Sequence, residues 1–164
     1  MAKKVRAIPA GYHTITPAVV VGDARKAVEF YKKAFGAQQL MLVPGSDGKI
    51  MHAEVKIGDS IVMLSEEQEG TPCKSAAALG GSPVSFYVYV DDVDAAWKRA
   101  VDAGAKTKYP LTDMFWGDRT GCLEDPFGQG WTLAQRTKNL TPEEIKTGQE
   151  EFCAKMREQQ LVSH

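Results

Sequence analysis

The chain has 164 residues, of which 43% are hydrophobic and 25% are charged, a composition typical of a single compact domain with one core. Twenty Lys and Arg against 21 Asp and Glu give a formal net charge of -1, which argues against nucleic acid or an anionic membrane surface as a partner. No segment approaches the about 20 apolar residues that span a bilayer, and no apolar segment follows the basic N-terminus. We therefore expect a cytoplasmic protein.

The three cysteines are widely spaced and odd in number: Cys73, Cys122 and Cys153. They form no Cys-x-x-Cys pair, so the spacing favours reduced thiols over a disulfide framework or a zinc site.

The first half of the chain predicts a strand, a helix and three further strands. Residues 14–21 are β-branched and apolar, and Asp23 is placed to cap a helix with one apolar face that ends at Gly36. Turn residues then separate three strand-like segments, at 38–43, 49–57 and 60–65. We interpret residues 12–66 as one βαβββ module.

The same order of elements returns about seventy residues later. Residues 66–82 show no helical or strand period and are predicted to be a linker. A strand at 84–90, a capping Asp92, a helix that stops at Gly104 and strands at 117–123 and 129–135 follow. This pattern predicts a second module at 83–137, so that residues 1–138 form an α+β domain of two βαβββ modules with curved mixed sheets around a cleft.

Residues 139–164 are predicted to form an appended helix. Thr141, Pro142 and Glu144 provide a capping hydroxyl, a first-turn proline and a glutamate at the third helical position. Its apolar stripe is thin, so it needs a surface, either its own domain or a second subunit. The stripe consists of Ile145, Phe152, Met156 and Leu161.

The two modules and the turn at 124–128 (Glu-Asp-Pro-Phe-Gly) resemble the vicinal-oxygen-chelate superfamily, which includes glyoxalases, bleomycin-resistance proteins and dioxygenases. Four motifs resemble the branch often described as phosphonate-utilisation-linked or demethylubiquinone-methyltransferase-like. They lie at residues 8–13, 51–54, 115–119 and 125–128. The resemblance implies a homodimer, since related proteins pair such modules within or across subunits.

In metal-using members of that superfamily, four ligands from the first and last strands of each module hold one divalent ion. Register carried over from the family places those positions at Thr16, Met63, Ser85 and Thr132. Hydroxyls and a thioether are poor ligands for a hard divalent cation. We therefore expect no metal at this position and no cofactor.

Alternation along the strands predicts which side chains face the cleft. His52 and Glu54 share one strand face, and the opposite wall mixes aromatic and polar groups. Such a lining suits a small organic molecule. The predicted ligand-binding residues are Thr16, Met63, Ser85, Tyr87, Trp116, Asp118, Arg119 and Thr132.

Trp116 and Arg119 are candidates for the mouth of the cleft, where the indole would stack on a ligand and the guanidinium would bind an anionic group. The alternative is a buried tryptophan beside a structural Asp–Arg pair.

Three functions remain open from the sequence. The first is binding of a small organic molecule without the usual metal. The second is an enzyme, with His52 and Glu54 as a metal-free acid/base pair for an isomerase or lyase, or with a shifted metal site that adds Asp118 for a metal-dependent lyase or dioxygenase. The third is an assembly role for the C-terminal helix.

Overall fold

The structure is a computed structural model that describes residues 5–162, with side chains described up to residue 158. The first half of the chain forms β1 (Ala18–Val21), α1 (Ala24–Phe35), β2 (Gln38–Pro44), β3 (Ile50–Ile57) and β4 (Ser60–Glu66). A short helix, α2 (Ala76–Leu79), leads to β5 (Ser85–Tyr89), α3 (Val93–Asp102), β6 (Lys106–Asp113), β7 (Asp118–Glu124) and β8 (Gly130–Arg136). The last element is α4 (Pro142–Val162).

Each half forms its own four-stranded sheet, in the order β1-β4-β3-β2 and β5-β8-β7-β6. In both sheets the first strand pairs parallel with the last, and the other pairs are antiparallel. Asp23 and Asp92 cap α1 and α3 at equivalent places in the repeat. The predicted α+β fold of two βαβββ modules is confirmed.

The two modules share one core on the helix side of their sheets. Phe35 of α1 packs against Trp131 of β8 with ring centroids 4.4 Å apart. The Tyr31 hydroxyl and the Trp131 indole both donate to Asp125 Oδ2, at 2.8 and 2.9 Å. Because these buried polar groups are paired across the modules, the two halves are fixed to each other.

Two predicted segments differ from the structure, and β6 (Lys106–Asp113) was not predicted. β1 begins at Ala18 and not at residue 14, because the Thr16 hydroxyl donates to the His13 carbonyl in a turn and Pro17 has no N–H for a ladder. The segment predicted as a linker contains α2, which Ser75 caps. The predicted glycine stop of α3 is confirmed: the helix ends at Asp102, Ala103 caps it, and Gly104 follows with φ +113°.

The predicted start of the C-terminal helix is confirmed. Thr141 N–H donates to Glu144 Oε2 at 2.7 Å, and Glu144 N–H donates to Thr141 Oγ1 at 3.3 Å, which is a reciprocal capping box. α4 packs on its own domain through Phe152, whose ring centroid is 5.6 Å from that of Phe115. The Leu161 side chain of the predicted stripe lies outside the described residues. Within residues 5–162, no helix combines the length and apolar character needed to cross a membrane.

Candidate functional site

We call the sheet face that points away from α1 and α3 the cleft face. Alternation along β3 places Ala53, Val55 and Ile57 in the core, so that His52, Glu54 and Lys56 lie on the cleft face. The same alternation on β5 puts Phe86 and Val88 against the core, which leaves Ser85, Tyr87 and Tyr89 on the cleft face. The structure therefore agrees with the predicted directions on these two strands.

A buried carboxylate, Glu54, organises the cleft face of the first module. Only 6% of Glu54 is exposed. The Tyr12 hydroxyl donates to Glu54 Oε2 at 2.5 Å, and His52 Nε2 lies 2.8 Å from Oε1. The hydrogen bond from Tyr12, and then that from His52, hold the pKa of Glu54 below its usual value. We call these three residues the Glu54 cluster.

Tyr12 was not among the residues predicted from the sequence. It lies before β1 and reaches β3 because Gly11 adopts φ +85° in a turn closed by Tyr12 N–H and the Pro9 carbonyl at 3.3 Å. Nothing in the sequence signals its partner Glu54, which is 42 residues away.

A second buried carboxylate, Asp118, organises the cleft face of the other module and is only 1% exposed. Its Oδ2 accepts from Tyr89 OH at 2.9 Å, Trp116 Nε1 at 3.1 Å and Tyr87 OH at 3.2 Å. The pKa of Tyr87 is raised, mainly by burial, so its hydroxyl stays protonated and acts as a donor. Three donors on one oxygen fix the aromatic side chains around the carboxylate.

Arg136 completes this arrangement, and sequence reasoning missed it. Its Nε lies 2.7 Å from Asp118 Oδ1, and its Nη1 donates to the Trp116 carbonyl at 3.2 Å. The Nε–H is not aimed at Oδ1, so the pair is an ionic contact in which Oδ1 accepts no hydrogen bond from the described residues. We call Tyr87, Tyr89, Trp116, Asp118 and Arg136 the Asp118 cluster.

Arg119 is separated from this cluster. It lies next to Asp118 in β7, and the alternation of side chains sends it to the opposite face. There it donates to both carboxylate oxygens of Asp94, at 3.0 and 2.8 Å, and to Asp113 at 3.3 Å. Those bonds raise the pKa of Arg119 above its usual value and leave it in a structural ion pair.

The four positions implied by the metal-using relatives are divided between the modules. Ser85 Oγ lies 3.3 Å from Thr132 Oγ1, and Cys122 Sγ lies 3.4 Å from the same hydroxyl. Met63 is the cross-strand neighbour of Glu54, and Thr16 lies in the turn before β1.

This donor set does not fit a divalent ion. It offers three neutral hydroxyls and a thioether, with no carboxylate or imidazole among them. Within the described part of the chain, no group of three or more His, Cys, Asp and Glu side chains is arranged to hold a metal. The shifted site that would add Asp118 to His52 and Glu54 is not assembled, because Asp118 belongs to the other cluster.

The Glu54 and Asp118 clusters share no hydrogen bond or ion pair between residues 5 and 158. A groove of about 910 Å³ runs between the modules along β5, and neither buried carboxylate lines it. Ser85, Tyr87 and Tyr89 are among the residues that line it. Two tyrosines of the Asp118 cluster therefore face this groove.

Two βαβββ modules, each with polar groups on the open face of its sheet, define the class of α+β protein to which this fold belongs. The sequence profile of the Glyoxalase/Bleomycin resistance protein/Dioxygenase superfamily matches residues 12–133, and the chain belongs to that superfamily.

An uncharacterized protein of Mycobacterium tuberculosis is 42% identical over 135 residues, which cover 80% of this chain and 79% of that protein. The crystal structure of TioX from Micromonospora sp. matches with a TM-score of 0.59 and 29% identity, over 79% of this chain and all of TioX. A Bacillus cereus PhnB protein described as a putative 3-demethylubiquinone-9 3-methyltransferase matches with a TM-score of 0.58 over 75% of this chain and 99% of that one. Its identity of 17% shows the fold alone.

Proposed function

We propose that this protein binds a small organic molecule on the cleft face of the second module, at the Asp118 cluster. The observation that carries the proposal is that Tyr87 and Tyr89 direct their hydroxyls onto one buried carboxylate while the two residues stay 46% and 58% exposed. Rings held in place lose little side-chain entropy when a ligand stacks on them. Tyr109 adds a third exposed ring on this module.

The absence of a fitting donor set at Thr16, Met63, Ser85 and Thr132 supports binding without the divalent ion of other superfamily members. The four motifs of the phosphonate-utilisation-linked or demethylubiquinone-methyltransferase-like branch support membership of that branch, whose names do not define an activity for this chain.

Calorimetric titration with neutral flat molecules, 2-naphthol and 2-naphthamide, and with the anion 2-naphthoate tests the binding proposal. We expect at least one of them to bind with a dissociation constant below about 1 mM, about 4 kcal/mol of binding free energy, and Tyr89→Ala to weaken that binding. Leu79→Ala, which removes an exposed apolar side chain from α2, is the matched control. No binding by any of the three probes would reject the proposal.

A second candidate function is metal-free proton transfer at the Glu54 cluster. His52 Nε2 is held 2.8 Å from Glu54 Oε1, which leaves Nδ1 as the ring nitrogen able to meet a substrate. Proton abstraction next to a carbonyl predicts solvent deuterium uptake into pyruvate, acetoacetate or phenylpyruvate, observed by NMR. Exchange no faster than with the His52→Gln variant would reject this candidate.

We also propose a homodimer. The cleft face of the first module exposes Met41 and Val43 across β2. Apolar patches of this kind are typical of interfaces. Light scattering should give about twice the 17.9 kDa of the chain, and Val43→Asp should reduce it. A single-chain mass for the unmodified protein would reject the dimer.

A further inference from the structure

The exposed charged group of the Asp118 cluster is the Arg136 guanidinium and not the carboxylate. Neither oxygen of the Asp118 carboxylate is accessible to a ligand, because Oδ2 accepts three hydrogen bonds and Oδ1 is buried. The Arg136 side chain, by contrast, is 49% exposed. A cationic ligand would meet a guanidinium and find no accessible carboxylate oxygen.

Arg136 is held in a fixed position. Its Nε is in ionic contact with Asp118 Oδ1, and its Nη1 donates to the Trp116 carbonyl. The guanidinium is therefore oriented before a ligand binds. A guanidinium oriented in this way binds planar oxyanions with two parallel hydrogen bonds and loses little entropy in doing so.

The distance between cleft-face residues of β8 sets the length of ligand that the site can hold. Thr132, Ala134 and Arg136 alternate onto the cleft face, and Thr132 and Arg136 are about 13 Å apart at about 3.3 Å per residue. β5 runs alongside, with Tyr87 opposite Thr132 and Tyr89 opposite Ala134. Going along the strands, a ligand meets hydroxyls of Thr132 and Ser85, then the tyrosines, then Arg136.

We infer that this face takes a flat organic anion, with its oxyanion on Arg136 and its ring system against Tyr87 and Tyr89. The polar end of a longer ligand would reach the hydroxyls of Thr132 and Ser85. This inference rests on the proposed binding function and names the class of ligand. Arg136 has the role that the sequence had suggested for Arg119.

Calorimetric titration of 2-naphthoate and its neutral isostere 2-naphthamide tests the inference. We expect the carboxylate to bind the unmodified protein at least tenfold more tightly than the amide. Arg136→Gln should remove that preference by weakening 2-naphthoate binding at least tenfold. Arg119→Gln, on the opposite face of β7, is the control and should keep the preference.

Arg136→Gln leaves a buried Asp118 without its cation, which could unfold the protein. The double variant Asp118→Asn with Arg136→Gln removes both charges together, and circular dichroism checks its fold. It should bind 2-naphthamide and lose the preference for 2-naphthoate. Equal affinity of both probes for the unmodified protein, or a preference that survives in the folded double variant, would overturn the inference and leave the binding proposal standing. No binding of either probe rejects the anion site, and the binding proposal is rejected with it if 2-naphthol also fails to bind.

Discussion

The hydroxyl of Tyr12 lies 2.5 Å from Glu54 Oε2, which ties the segment before β1 to the middle of β3. Tyr12→Phe should lower the free energy of unfolding, because it removes a hydrogen bond to a charged group. Urea denaturation followed by circular dichroism measures the change.

Tyr109→Phe is the matched control for that substitution. Tyr109 is exposed, and its hydroxyl makes no hydrogen bond to the described residues. Its loss should change the free energy of unfolding by less than about 0.5 kcal/mol. Equal effects of the two substitutions would show that the Tyr12 contact contributes nothing.

The Glu54 carboxylate should make stability depend on acid pH. The pKa of Glu54 is lowered in the folded chain, first by the Tyr12 hydrogen bond and then by His52. A carboxyl with a lowered folded pKa stabilises the fold above its unfolded pKa, and this contribution is lost as the pH falls through the folded pKa. The stability advantage of the unmodified protein over Glu54→Gln should therefore be full at pH 7 and shrink below about pH 4.

Urea titrations of both proteins from pH 7 down to about pH 3 measure this difference. An advantage that stays constant over the range would contradict the assigned role of the carboxylate. Glu29→Gln on the exposed face of α1 gives the background pH dependence of a surface carboxylate, for which no such loss is expected.

Gly117 fixes the loop that carries Trp116. It adopts φ +91°, and a Cβ there would lie 2.4 Å from the Lys138 carbonyl oxygen. The Gly117 carbonyl in turn accepts from the N–H groups of Thr137 and Lys138, at 2.9 and 3.0 Å. Gly117→Ala should therefore lower the free energy of unfolding by more than about 2 kcal/mol, from backbone strain and the clash together.

Gly70→Ala separates strain from clash. Gly70 also has a positive φ, of +78°, but a Cβ there would meet nothing within 4 Å. It should cost about 1–2 kcal/mol, the strain alone. If thermal unfolding places both variants at the same midpoint, the contact between Gly117 and Lys138 does not constrain the loop.

The repeat, the helix caps and the alternation of β3 and β5 could be predicted because each depends on neighbours within a few residues. Asp23 and Asp92 cap helices that begin directly after them. The prediction that the two modules pack together came from the resemblance of the 124–128 turn to the superfamily, because no local sequence pattern contains that information.

The clusters could only be predicted in part, because their members meet across long stretches of chain. Glu54 and Asp118 were identified on the correct strands, but Tyr12 and Arg136 join them from a loop and from the last residue of β8. Arg136 could have been found by extending the alternation of Thr132 along its strand. Arg119 was predicted because it shares one short motif with Trp116 and Asp118. It directly follows Asp118, however, and adjacent residues of a strand face opposite sides.

The C-terminal helix should support the Asp118 cluster through Phe152. Phe152 packs on Phe115, and Phe115 contacts Trp116 edge to face with ring centroids 4.9 Å apart. Gly148 permits this approach, since a Cβ there would lie 3.0 Å from the Phe115 Cβ. Phe152→Ala should lower the free energy of unfolding by about 1–2 kcal/mol, less than the about 3–5 kcal/mol of a fully buried phenylalanine, because the ring is partly exposed.

The same substitution should shift tryptophan emission and weaken 2-naphthoate binding. Without Phe152, Phe115 would no longer be held against Trp116, although the Trp116 indole would still donate to Asp118. Met156→Ala, one turn further along α4 and similarly exposed, removes a side chain of comparable size and should change none of these quantities. Identical behaviour of the two variants would mean that α4 packs on the domain without supporting the site. A loss of binding confined to Phe152→Ala would connect the appended helix to the function of the cleft face.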